Sequence, residues 1–204
     1  MNPVRTIVFP LLLATLLAGC TAMRPPRVEN PTLYLLDAQP AAVAGRLRRE
    51  LTLAVDLPRA RSGFATPQMA YVREPHKLDY YAKSRWVDTP ARMLAPLLAQ
   101  ALAQSGDFRA VVLAPSSVAA DLRLDTELIR LQQDFATQPS RVQLTLRVQL
   151  IDVKADKVLA ARKFDEVESA PSDDAYGGVI AANRALRRLL GGLEEFCVAA
   201  SGDR

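Results

Sequence analysis

Two runs of strictly alternating residues constrain this chain more than any other feature. Leu122, Leu124, Thr126 and Leu128 fall on one side of an extended segment, with charged residues on the other. Val142, Leu144, Leu146, Val148 and Leu150 repeat the pattern. A period of two is the signature of a strand with one buried face. Both runs then slip in phase, the first to Ile129 and Leu131, the second to Ile151 and Val153. A one-residue slip turns side chains to the opposite face unless a bulge or strong twist absorbs it. The stretch 136–140, with Pro139, reads as the turn between the two strands. Ala155-Asp156 leads into a third strand, Lys157 to Glu168.

The remaining elements follow from shorter signals. Thr32 to Leu36 and Glu50 to Leu57 are strand-like, the second ended by Pro58 and Arg61-Ser62-Gly63. Met69 to Arg73 and Leu78 to Ala82 flank a turn that holds His76, so they form a hairpin, with Trp86 as an anchor at its end. Thr89-Pro90 starts a helix whose stripe is Leu94, Leu97, Leu98, Ala101 and Leu102. Pro96 should bend that helix or delay its start. Ser105-Gly106 stops it, and Phe108 to Leu113 returns as a strand. Pro171-Ser172 opens a final helix with a stripe at Val179, Ala182, Leu186, Leu190 and Leu193, weakened near its end by Gly191-Gly192. Strands, a helix, long antiparallel strands and a second helix describe an α+β fold: an antiparallel-rich mixed sheet with two helices packed on it.

The N-terminus carries an export signal. Arg5 precedes an apolar run from Ile7 to Leu17. That run is about eleven residues, against the roughly twenty that span a bilayer. Leu17-Ala18-Gly19-Cys20 closes it and reads as a lipobox, which makes Cys20 the lipidated first residue of the mature protein. Several acyl chains on one cysteine hold firmly where a single chain binds marginally. Thr21, in place of aspartate, favours the outer membrane of a two-membraned bacterium. The organisation is therefore a leader over 1–19, a lipidated tether over 20–31 rich in proline, and one periplasmic domain over 32–204.

Composition adds what that domain must do without. Half of the residues are hydrophobic, which suffices for a sizeable core. Of 2 Cys, Cys20 goes to lipid, so Cys197 has no intrachain partner and reads as a small buried hydrophobe. The pI of 9.3 overstates a net charge of only +4. Arg46, Arg48, Arg49, Arg59 and Arg61 cluster in sequence, as a solvated face or as a contact for anionic headgroups. An exported chain makes a poor partner for nucleic acid. The single histidine, His76, lies in a turn, so no triad can be assembled from it with ease. Cys and His are too few for a metal site, and no phosphate-binding loop is present. Gly177-Gly178 at a helix start permits close packing or an exposed anion site. Tyr80 and Tyr81 alternate, so at most one could join Trp86 in a lipid groove. These features describe a non-enzymatic chain with no cofactor.

Two segments carry a family likeness: Tyr80 to Leu94, continued by Ser105 to Val111, and Ala175 to Leu186. With Tyr34-Leu35-Leu36 they resemble the ABC-type transport auxiliary lipoproteins, the PqiC-like family, over roughly Thr32 to Cys197. The resemblance implies a two-layer sandwich similar to the N-terminal domain of TolB. It also implies a periplasm-facing outer-membrane lipoprotein that docks with an MCE-domain protein and its ABC permease and ATPase, in a system moving lipids or other apolar molecules. The alternative is an outer-membrane assembly lipoprotein that partners a β-barrel. Either role needs a binding surface. The slipped positions offer apolar area beyond what two helices cover, so Ile129 and Ile151, together with Trp86, are the expected partner or lipid contacts. Self-association into a homo-oligomer would use the same surface.

Overall fold

Strand β7, Leu122–Asp134, is the axis of the sheet. The computed structural model describes residues 30–39 and 48–202. On one edge β7 pairs antiparallel with β8, Arg141–Asp152, which pairs antiparallel with β9, Lys157–Ser169. The other edge is covered by a strand broken into pieces. β2 (Arg49–Val55), β3 (Arg59–Ala60) and β4 (Gln68–Val72) run parallel to β7 one after another, opposite Leu122–Leu124, Glu127–Leu128 and Gln132–Asp134 respectively. Pro58 and a single 3₁₀ turn, Ser62–Phe64, supply the breaks. Beyond β2 lies β6, Phe108–Leu113, in parallel. Beyond β4 lies the hairpin partner β5, Leu78–Trp86, and then β1, Thr32–Tyr34, parallel to β5.

The phase slip of β7 is a bulge. Leu128 pairs with Leu146 and Leu131 with Leu144, while Ile129 is the extra residue. The bulge turns Ile129 and Arg130 both outward and returns Leu131 to the side of Leu128. The slip therefore keeps one continuous apolar face and does not create a second. In β8 the alternation holds to Leu150, and the second irregularity lies in β9, where Leu159 is the extra residue between the partners of Leu150 and Ile151. The notion of a surplus apolar strand surface is corrected by this geometry.

Two helices cover that one face. α1, Pro90–Gln104, packs on β2, β3 and β6; α2, Ala175–Ser201, packs on β8 and β9; and the helices touch each other. One core cluster joins Leu53, Leu94, Leu98 and Leu102 to Leu124, Leu128, Leu146, Leu186 and Leu190. Each such leucine, fully buried, contributes about 1.5–3 kcal/mol. The result is the α+β sandwich expected from the sequence, with parallel pairings along one edge of β7. Residues Pro31–Arg204 make one compact unit with this core to itself, as an independently folding domain requires.

Helix ends show where local rules held. α1 begins at Pro90 after Thr89, yet the Thr89 hydroxyl makes no capping bond. It continues through Pro96, which is exposed. α2 starts three residues past the expected Ser172, because Asp174 is the cap: its Oδ1 accepts from the Gly177 N–H at 2.7 Å. Gly177 is needed there, since a Cβ would lie 2.1 Å from the Ser172 carbonyl oxygen. A Cβ on Gly178 would lie 2.2 Å from Gln133 Oε1. Both glycines serve close packing. Gly191, inside the same helix, meets nothing within 4 Å.

That contrast is testable by urea denaturation. Gly177→Ala should destabilise the domain by about 1–3 kcal/mol or more, as overpacking against backbone does. Gly191→Ala should stabilise it by about 0.5–1 kcal/mol through helix propensity. Equal effects at the two sites would contradict the packing described.

Candidate partner-binding surface

The face of the sheet away from the helices is polar. Arg59 meets Asp125 at 2.9 Å, and Glu127 is shared by Arg61 and Arg147, each at 3.1 Å. Arg123 lies 3.5 Å from Asp56. Lys163 meets Asp165 at 3.2 Å, and Arg130 donates to Gln143 Oε1. Exposed pairs of this kind contribute about 0–1 kcal/mol each, so they keep the face soluble rather than hold the fold.

One part of that face departs from the pattern. The outward turn of Ile129 at the bulge sets it beside Phe64, Val72 and Leu78, which floor a shallow open groove. Its rim carries Arg61, His76, Lys77 and Arg130. The 3₁₀ turn supplies Phe64 and the residue before it Arg61, β7 supplies Ile129 and Arg130, and the β4–β5 hairpin supplies Val72, His76, Lys77 and Leu78, with His76 at a positive φ of 67° in the turn. An apolar floor inside a polar rim, where Arg61 is paired with Glu127 and Lys77 with Glu74 and Asp79, suits an amphipathic partner segment. The sequence signal for this site is the phase slip, which places Ile129 here.

The other expected contacts lie elsewhere. Trp86 is 4% exposed. Its strand register opposite Tyr34 turns the ring into the core, where it lines a pocket of about 20 Å³ with Met69, Leu131, Val142 and Ala182. That volume holds about one water, far below the few hundred Å³ of ligand sites. Trp86 is therefore a packing residue, not a surface contact. Ile151 is 8% exposed, on the far side of β8, flanked in register by Arg123 and Val158. It too offers no surface to a partner. Cys20, with the leader and most of the tether, lies outside the described residues, as does Arg46.

The arginine cluster disperses in space. Arg49 donates to the carbonyls of Val198 and Gly202 at 3.2 and 3.1 Å, satisfying the end of α2 where a cation is favoured, and lies 3.9 Å from Asp107. Arg48 donates to the Arg109 carbonyl. Arg59 and Arg61 join the ion pairs of the far face.

A chain of hydrogen bonds, buried at Gln133–Ser140 and partly buried at its ends, clamps the start of α2 to the sheet. The Tyr81 hydroxyl donates to Gln133 Oε1 at 2.8 Å, Gln133 Nε2 donates to Ser140 Oγ at 2.8 Å, and the Ser140 N–H donates to Asp173 Oδ1 at 2.7 Å. Burial pushes the Tyr81 phenol up to about 12, and the bonds from Ser140 hold the Asp173 carboxyl below its usual range. The Tyr81 phenol thus stays protonated and donating at neutral pH. Tyr80 instead donates to the Gly63 carbonyl. Of the two tyrosines, Tyr81 alone joins Trp86, in the lining of the same small pocket. Sequence patterning shows no sign of this chain, because its members come from four separate elements or loops.

Cys197 is fully buried, and burial pushes its thiol up to about 12 with a smaller push from Glu194. Among the described residues no group of three or more His, Cys, Asp or Glu could hold a metal ion, and no helix is long and apolar enough to cross a membrane.

Residues 34–191 match the family model for the ABC-type transport auxiliary lipoprotein component. The chain belongs to that family, whose members are lipoprotein components of ABC-type transport systems. No curated protein matches it in sequence. Among solved structures it is similar to protein XCC0632 from Xanthomonas campestris, with 20% identity, a TM-score of 0.77, and coverage of 83% of this chain and 96% of that one. An uncharacterized protein shares the fold at 13% identity and a TM-score of 0.66, covering 83% of this chain and 99% of the other. Protein CT253 from Chlamydia trachomatis is more distant, at 9% identity and a TM-score of 0.53, over 76% of this chain and 100% of that one. At these identities the likeness is one of fold.

The burial of Cys197 makes a direct prediction. A thiol-specific reagent at neutral pH should leave it unmodified in the native protein and react at the rate of unfolding, because only the thiolate is reactive. Rapid labelling without denaturant would mean that α2 opens locally.

Proposed function

We propose that this chain is the outer-membrane-anchored, periplasm-facing auxiliary subunit of an ABC transport system that moves lipids or other apolar molecules between membranes. It acts by docking, not by catalysis, and its partner is an MCE-domain protein served by an ABC permease and ATPase. The family match over residues 34–191 carries this reading. The lipobox at Leu17 to Cys20, with Thr21 after it, supports the anchor and the membrane. A domain tethered by a short linker is held at high effective concentration for a partner at that membrane. The groove floored by Ile129, Phe64, Val72 and Leu78 is the docking surface. His76 sits on its rim and serves no chemistry.

The test is recovery of partners from cross-linked envelopes with the tagged full chain. An MCE-domain protein should come with it. Ile129→Lys should lower that recovery by about fivefold or more, the loss of a contact worth about 1 kcal/mol. The variant's melting temperature should stay that of the parent, because a half-buried lysine can lead its ammonium to water. Recovery of a β-barrel protein alone would favour the assembly reading, and recovery of only its own copies would make the groove a self-association surface. Cys20→Ser should release the chain from membranes; a Cys20→Ser chain still processed and membrane-bound would defeat the anchor.

A further inference from the structure

The most exposed large apolar side chains among the described residues are Leu33 and Tyr176, each 59% accessible, and Leu35 follows at 53%. Leu35 and Tyr176 line one groove. Leu33 belongs to β1, Leu35 to its extension, and Tyr176 to the first turn of α2, where its ring lies 6.2 Å from that of Tyr34. Asn183 fastens the two segments. Its Nδ2 donates to the Leu35 carbonyl at 3.1 Å, and its Oδ1 accepts from the Asp37 N–H at 2.8 Å. An open groove runs between them, lined by Leu35, Asp37, Tyr176, Ile180, Arg184 and Arg187.

The charge of this groove is unbalanced. Arg187 is exposed and enters no ion pair among the described residues. Arg184 is 52% exposed and reaches a carboxylate only at 3.9 Å, Glu168 Oε1, in a residue it shares with Arg188. Asp37 is the one acid of the lining, set against these two arginines. On the far face of the sheet, by contrast, Arg59, Arg61 and Arg147 each stand opposite a carboxylate.

The position of the groove points to its occupant. The compact unit begins at Pro31, two residues before Leu33. Cys20 lies eleven residues before Pro31 in the sequence. An anchor at Cys20 would join the compact unit through Pro31, beside this face. We infer that this face rests on the membrane, with Leu35 and Tyr176 entering the headgroup region and Arg184 and Arg187 meeting anionic headgroups. Tyrosine is favoured at that depth, and arginine gains from the negative surface. The nearness of the membrane rests on the anchor proposed above; the chemistry of the face does not.

The experiment separates the two. The isolated unit Pro31–Arg204, which lacks any anchor, is mixed with phosphatidylcholine vesicles and with mixed phosphatidylcholine–phosphatidylglycerol vesicles and followed by co-sedimentation. Binding to the mixed vesicles alone, weakening as salt rises, is expected. Arg184→Gln combined with Arg187→Gln should weaken it by about twenty-five-fold, at about fivefold per arginine. Tyr176→Ser should weaken it as well. All of these positions are exposed, and circular dichroism checks that the fold is kept. In the lipidated full chain, the fluorescence of Tyr176→Trp should shift to the blue and be quenched by quencher-labelled lipid. No preference for anionic vesicles, a double arginine variant that binds like the parent, or an unquenched Tyr176→Trp overturns the inference. The vesicle outcomes with the isolated unit do not depend on Cys20, so a failure of the Cys20→Ser test leaves them standing; the quenching readout alone presupposes the anchor.

Discussion

The bulge at Ile129 is the constraint on which the sheet depends. β7 is long enough to need correction, since its apolar residues change phase between Leu128 and Leu131. Were the pairing with β8 to continue without an extra residue, Leu131 would turn to water and Arg130 would be buried under the helices. A buried unpaired arginine costs several kcal/mol, more than any one leucine returns. One inserted residue resolves this and lets α1 and α2 share a single apolar face. It also places an isoleucine on an otherwise charged surface, so the device that completes the core creates the groove proposed for docking.

Edge strands and ion pairs divide the remaining work. The long outer strand β9 is blunted by Lys157, Arg162, Lys163, Asp165 and Glu166, charges that discourage pairing with another chain. Arg188 of α2 draws in Glu166 and Glu168 of this strand and its donor bond to the Val167 carbonyl ties helix to edge. Such a sheet is poorly suited to open-ended strand addition, which leaves side-chain grooves as the places where partners are read.

Local periodicity made much of this legible. The alternation at Leu122–Leu128 and Val142–Leu150, the stripes of both helices and the hairpin around His76 all stand in the structure near where the sequence places them. The interrupted strand β2–β3–β4 was not legible, because its parallel pairing with β7 joins residues such as Leu53 and Leu122 that no local pattern connects. The start of α2 was ambiguous because Ser172 and Asp174 are both good caps, and only the space around Gly177 selects Asp174. For the site, the slip pointed to Ile129 and Ile151 alike. The bulge exposes the first, while the pairing of Ile151 between Arg123 and Val158 buries the second. Trp86 looked like an anchor at a strand end and is one, inside the core.

The way β1 is attached has a mechanical consequence. It holds to the sheet through three residue pairs with β5 and to α2 through the two bonds of Asn183. A pull entering at Pro31 therefore loads this short ladder and one asparagine before it reaches β5 and α2, and only through them the long strands behind. The first strand can act as a weak link that yields under tension while the sandwich behind it stays folded.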